Sequence, residues 1–157
     1  GQKITSVREL VQDAHQQAEQ ADTHMCRYVL DVPDAVPMVL IDPQYLMVAV
    51  RELLVNAAKF SEDNGVVQLH VHYDDQWLCF EVQDYGRGVP EHEQDNIWQR
   101  FYQINRELYE DQGAGSGLAL VDGIVTMHGG KRDLHSVEGE GSTFTIMIPL
   151  LQDDAAK

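Results

Sequence analysis

Residues 66–84 hold two adjacent runs of alternating side chains, and no other stretch limits the possible folds so strongly. From Val66 to Tyr73, Val67, Leu69, Val71 and Tyr73 fall on one side and Gln68, His70 and His72 on the other; from Trp77 to Asp84, Leu78, Phe80 and Val82 share a side. A period of two marks a strand with one dry and one wet face. Asp74-Asp75 between the runs fits a hairpin turn, so the apolar side of an antiparallel pair has to be covered by another layer.

Segments of helical period supply that layer. Ser6 followed by Glu9 forms a capping box, and Val7, Leu10, Val11, Ala14, Ala18 and Ala21 recur at spacings of three and four, which predicts a helix over Ser6 to Ala21. Asp42-Pro43 offers an N-cap and a proline at the first helical position, and the helix that follows should run to Phe60, burying Leu46, Val50, Leu53, Leu54 and Ala57. A third helix is predicted from Leu118 to Met127, and a short one from Glu91 to Trp98.

Further strands are predicted at Cys26 to Asp31, Met38 to Ile41, Lys131 to Ser136 and Ser142 to Ile148, the last ended by Pro149. Gln103 to Gln112 reads as a mobile loop. Helices mixed with hairpin-joined strands imply the α+β class: a two-layer α/β sandwich whose mixed, mostly antiparallel sheet carries helices on one face. At 157 residues the chain suits one domain, read here as residues 1–151, with 152–157 a frayed tail. The opening Gly1-Gln2, in place of Met, points to a piece of a longer protein.

Charge excludes whole classes of partner. Lys and Arg total 11 against 26 Asp and Glu, a net charge of −15 that repels nucleic acid and anionic lipid. Neither a nucleic acid nor direct membrane contact is therefore expected, and a phosphate-bearing ligand needs a metal ion, placed cations or backbone N–H groups. Cys26 and Cys79 are too few for a disulfide scaffold and match a reducing compartment, hence a cytoplasmic location, with the parent protein free to carry a membrane anchor elsewhere. The seven histidines read as surface or structural residues, His70 and His72 lying on the free sheet face.

Three segments carry candidate chemistry. Gly113-Ala114-Gly115-Ser116-Gly117 leads straight into the third helix, where backbone N–H groups can meet a phosphate; a flexible hinge is the plain alternative. Glu52, Asn56 and Lys59 lie along one helix stripe, an acid, an amide and a cation suited to Mg²⁺ and phosphate, or simply a solvated face. Asp84 shares parity with Leu78, Phe80 and Val82, so alternation turns it inward. A buried carboxylate at a strand end, beside the open turn of Gly86 and Gly88, suits an exocyclic amine such as that of adenine; a turn-capping Asp is the alternative.

Together these segments resemble sensor histidine kinases. Glu52 to Ser61 looks like their N box, Asp84-Tyr85-Gly86-Arg87-Gly88-Val89-Pro90 their first glycine box, and Ile97 to Tyr102 their F box. Gly113 to Leu120 looks like the second glycine box, and Gly139-Glu140-Gly141-Ser142-Thr143-Phe144 the closing motif. Five motifs in the family's order cover nearly the whole chain. The resemblance is to the catalytic ATP-binding domain and implies the Bergerat or GHKL fold shared with Hsp90, DNA gyrase B and MutL.

Carried over by position, the resemblance assigns Asn56, with Glu52, to Mg²⁺, Lys59 to the phosphates and Asp84 to the adenine amine. It sets Phe60 beside the base, gives Gly86 and Gly88 to the adenine pocket and Ser142 a hydroxyl role near it, and has Gly113, Gly115, Gly117 and Leu118 frame the phosphates. Glu52, Lys59 and Arg100 become the candidate catalytic residues, and Arg106 falls in the ATP lid. The implied activity is transfer of the γ-phosphoryl group of Mg²⁺-ATP to a histidine on a separate dimerisation domain, with a response regulator as the next partner. His15, in Asp13-Ala14-His15-Gln16-Gln17, does not fit the phospho-acceptor pattern. Glu52 stands where many relatives have Asn, and Ala114 and Ser116 where Thr and Leu are common. A GHKL-type ATPase, an anti-sigma-like Ser kinase and a non-catalytic pseudokinase therefore stay open as alternatives.

Overall fold

The first two helices begin where their caps predict. In the computed structural model, which describes residues 3–4, 6–37, 39–99 and 117–150, the Ser6 side chain accepts from the Glu9 amide and opens α1 (Val7–Ala21). The Asp42 side chain accepts from the Tyr45 amide and opens α2 (Pro43–Phe60). Helix α3 (Leu118–Met127) starts at Gly117, which caps it without a side chain. Met38, the 103–112 segment, Arg100, Arg106, Gly113, Gly115 and the tail lie outside the described residues.

The strands are β1 (Lys3–Ile4), β2 (Arg27–Asp31), β3 (Leu40–Ile41), β4 (Val66–Tyr73), β5 (Trp77–Asp84), β6 (Lys131–Val137) and β7 (Gly141–Pro149). β1 and β3 form a two-stranded sheet; the other strands of the described residues form one sheet in the order β2-β4-β5-β7-β6. β2 runs parallel to β4 and every other neighbour is antiparallel, the mixed, mostly antiparallel sheet expected. Inner-face residues Val67, Leu69, Leu78, Phe80, Val82, Phe144 and Ile146 meet Leu46, Val50, Leu53 and Leu54 of α2 in a single core. Burying each such side chain contributes about 1.5–3 kcal/mol, so the two layers hold each other. No helix of the described residues is long and apolar enough to cross a membrane.

Two elements differ from expectation: the two-residue strand β1, which no alternation announces, and the 91–98 segment. Glu91 to Trp98 is not an α-helix: Glu91–Glu93 makes one 3₁₀ turn, and successive amides bond back three residues, Glu93 to Pro90, Gln94 to Glu91, Asn96 to Glu93 and Gln99 to Asn96. Tertiary demands win here over helical period. The Gln94 side chain is drawn to the Val89 carbonyl, while Ile97 and Trp98 are buried, Trp98 edge-on to Phe144 at 5.7 Å and under the Arg132 guanidinium at 4.4 Å.

Histidines occupy surface and structural places. His70 pairs with Asp31 at 2.8 Å and His72 with Glu81 at 3.6 Å on the open face. His128 is buried and joins two helices: its Nε2 accepts from the Asp42 amide at 2.9 Å, so Nδ1 carries the proton and donates to the Ile124 carbonyl at 2.8 Å.

Candidate nucleotide site

Asp84 ends β5 on the inner face and is 1% exposed. Its Oδ1 accepts from the Gly86 amide at 3.0 Å, whereas Oδ2 is buried with no hydrogen-bond partner among the described residues. Burial pushes the carboxyl up from the ordinary 3.8 to about 6, against the opposing pull of the Gly86 amide and of the nearby Ser142 backbone amide. A native fold rarely strands such a group without a ligand for it.

Asn56 presents the same anomaly on α2. It is 0% exposed, and among the described residues neither Oδ1 nor Nδ2 has a partner. An amide buried in this way costs about 1–3 kcal/mol for each unsatisfied group. Its oxygen is of the kind that Mg²⁺ takes, and Lys59, half-buried in the last turn of α2, supplies a point charge suited to phosphate. Among the described residues no three His, Cys, Asp or Glu side chains form a metal centre, so a cation here would lean on Asn56, Glu52 and oxygens of the ligand itself.

Backbone contacts join these side chains into one frame. Gly86 lies against the end of α2, where a Cβ would stand 1.9 Å from the Phe60 carbonyl oxygen, and the Arg87 amide donates to that same oxygen at 3.3 Å. Phe60 itself is 3% exposed, its ring in the core. Two turns back along α2, Glu52 reaches the start of α3: a Cβ on Gly117, whose φ is +82°, would stand 2.6 Å from Glu52 Oε2. Glu52 also pairs with Arg51 at 3.3 Å, and Arg51 donates to Gln17 of α1 at 2.8 Å. Glu52 and Phe60 are thus about 12 Å apart along the helix, with the glycine turn at one end and the uncapped N–H groups of α3, from Leu118 on, at the other. That arrangement can hold a base at one end and phosphates at the other.

β7 and the turn before it close the base end. Ser142 lies opposite Asp84 in register and is 3% exposed. Gly88 is at φ +73° and packs on the Val137 backbone, and the Gly139 amide donates to the Arg87 carbonyl at 2.7 Å. Arg51, Gln94 and Ser136 are parts of the frame that reading the sequence overlooked. For Ser136 a signal existed, since it has the parity of the inward residue Leu134 on the same strand.

One prediction follows from the carboxyl of Asp84. A ligand N–H donated to Oδ2 favours the charged form, so binding releases a proton and affinity rises with pH through about 6, then levels off. Adenosine carries no group that titrates near neutrality and isolates the effect. Calorimetry should find its affinity lower at pH 5 than at pH 7.5, and Asp84→Asn should remove that slope; a flat wild-type profile would count against the assignment.

Residues 41–152 match the family described as histidine kinase-, DNA gyrase B-, and HSP90-like ATPase. The circadian input-output histidine kinase CikA of Thermosynechococcus vestitus is 36% identical over 152 residues, 94% of this chain and 21% of CikA. The sensor histidine kinase RcsC of Escherichia coli is 38% identical over 110 residues, 69% of this chain and 12% of RcsC. This chain thus spans about a fifth or less of these relatives. The crystal structure of full-length ShkA in complex with AMPPNP superposes with a TM-score of 0.81 at 25% identity, over 98% of this chain and 32% of ShkA. The chain belongs to the histidine kinase-, DNA gyrase B- and HSP90-like ATPase family, as a catalytic domain of the sensor histidine kinase kind.

Proposed function

We infer that this domain binds Mg²⁺-ATP and delivers the γ-phosphoryl group to a histidine on the dimerisation domain of its parent kinase, from which a response regulator would receive it. The observation that carries the reading is a pair of buried polar side chains with atoms left without a partner among the described residues, Asp84 Oδ2 at the end of β5 and the Asn56 amide on α2. The family and the AMPPNP held by the similar ShkA structure support ATP as the ligand.

Each residue has a task in that reading. Asp84 Oδ2 accepts from the base, while Gly86 keeps the turn tight against α2. Asn56 and Glu52 would hold Mg²⁺, which when bound neutralises phosphate charge. Lys59 adds a positive charge at the phosphates. Phosphoryl transfer depends mainly on positioning and charge neutralisation, so these fixed groups suffice for the share of the work done on this side of the reaction. Glu52 favours transfer over hydrolysis. Its carboxylate is engaged by Arg51 and pressed on Gly117, a poor posture for a base that must activate water. The dimerisation domain would supply the acceptor and the base.

The test is phosphotransfer. Incubated with radiolabelled ATP, this chain alone should stay almost unlabelled, and adding the parent's dimerisation domain should put an acid-labile, base-stable phosphate on that partner. Sustained ATP hydrolysis by the chain alone at about 1 s⁻¹, within the ordinary enzyme range, would instead identify a dedicated ATPase.

A further inference from the structure

The register of the sheet lines up a polar row across its inner face. Asp84 of β5 pairs with Ser142 of β7, and Ser142 with Ser136 of β6. All three have inward parity, at the end of the sheet where the glycine turn leaves it. Ser136 is the hub of this row. Its Oγ accepts from the Val89 amide at 2.7 Å, donates to the Gly141 carbonyl at 3.1 Å, and lies 2.8 Å from the Ser142 hydroxyl.

A hydroxyl has one proton and two lone pairs. With the Ser136 proton given to Gly141 and one lone pair taken by Val89, the remaining lone pair accepts the proton of Ser142. Ser142 is then left with lone pairs only. Beside it, Asp84 Oδ2 is also a bare acceptor. Two neighbouring acceptors match a primary amine, which has two N–H bonds, and mismatch a carbonyl. Val89 is held from its other side as well, since the Gln94 amide donates to its carbonyl at 2.9 Å and to the Ser136 carbonyl at 3.3 Å.

We propose that Ser136 is a positioning residue for base recognition: it fixes the Ser142 hydroxyl as an acceptor, so that Ser142 and Asp84 together read both hydrogens of an exocyclic amine. The inference rests on the nucleotide reading above and names how the site selects its base. Losing Ser136 frees the Ser142 proton to turn toward the ligand, where it meets another donor.

The experiment compares adenosine with purine riboside, which lacks the amine, by calorimetry on wild type, Ser136→Ala, Ser136→Thr and Ser136→Cys. Ser136→Ala should weaken adenosine about tenfold, the effect of one buried hydrogen bond, and leave purine riboside within about twofold. Ser136→Thr, which keeps the hydroxyl, should bind adenosine nearly as wild type does, and Ser136→Cys should fall between. Should Ser136→Ala not fold, the Cys variant carries the same comparison. An equal loss for both ligands would show that Ser136 merely holds the turn, and no loss for either would remove it from recognition; each overturns the proposal. A wild-type protein that binds neither ligand would overturn the nucleotide reading itself, and one that binds both equally would show that the amine is not read.

Discussion

Asp84→Asn should weaken ATP binding and stabilise the ligand-free fold at the same time. The new amide places an N–H where the ligand must also donate, and losing a buried, charged partner of this kind costs about 2–4 kcal/mol of binding. GTP should already bind poorly to the wild type, because its base offers a carbonyl to the carboxylate. Stability moves the other way. The folded carboxyl titrates at about 6 and the unfolded one at 3.8, so the fold holds the extra proton between those values, and above pH 6 the charged group opposes folding by on the order of 3 kcal/mol. The Asn variant escapes that opposition, less the cost of its own unpartnered amide, and should gain about 1–2 kcal/mol at pH 7.5. Below pH 3.8 Asp84 is neutral in both states, and the advantage should vanish. Thermal melts at pH 7.5 and pH 3.5, beside ATP calorimetry, check both signs. A variant less stable than wild type at pH 7.5, or one that keeps full ATP affinity, would contradict this account.

Gly86→Ala should be among the most damaging single-methyl additions in the described residues. The added carbon would stand 1.9 Å from the Phe60 carbonyl oxygen and 2.6 Å from its carbon, both backbone atoms that cannot rotate away. Either the glycine turn lifts off α2 or the helix end shifts, at a cost of about 3 kcal/mol or more. For a domain of this size the melting midpoint should fall by roughly 6–12 °C. Adenosine binding should be lost as well, because the displaced turn carries the amide that holds Asp84 Oδ1. A contrasting substitution, Gly123→Ala on α3, meets nothing within 4 Å and should be neutral or slightly stabilising. Equal melting curves for the two variants would show that the close approach at Gly86 is not a constraint.

Much of this architecture was legible along the chain because it is written in local terms. The caps at Ser6 and Asp42, the period of three and four in α2 and the alternation in β4 and β5 each involve residues within a few positions of one another, and the elements appeared where those patterns placed them. The inward aim of Asp84 was legible for the same reason: parity is local, and three apolar residues of the same strand set it. The 91–98 segment departs from its helical period because part of what shapes it is distant, namely the Ser136 carbonyl bonding the Gln94 amide and Phe144 receiving Trp98.

The sequence by itself thus determined the elements, the α+β class and the residue types on offer to a phosphate, a cation and a base. Only the tertiary structure decided which of those residues are left wanting a partner. That Asn56 and Asp84 Oδ2 are buried and unsatisfied, that Glu52 lies against Gly117 at the mouth of α3, and that Ser142 stands in line with Asp84 depend on packing between segments far apart in the chain. The physical reason is that hydrogen bonding and desolvation are settled by what fills the space around an atom. A chain's neighbours in sequence set its helices and strands, but which polar atoms lose their water is set by the layer packed on top.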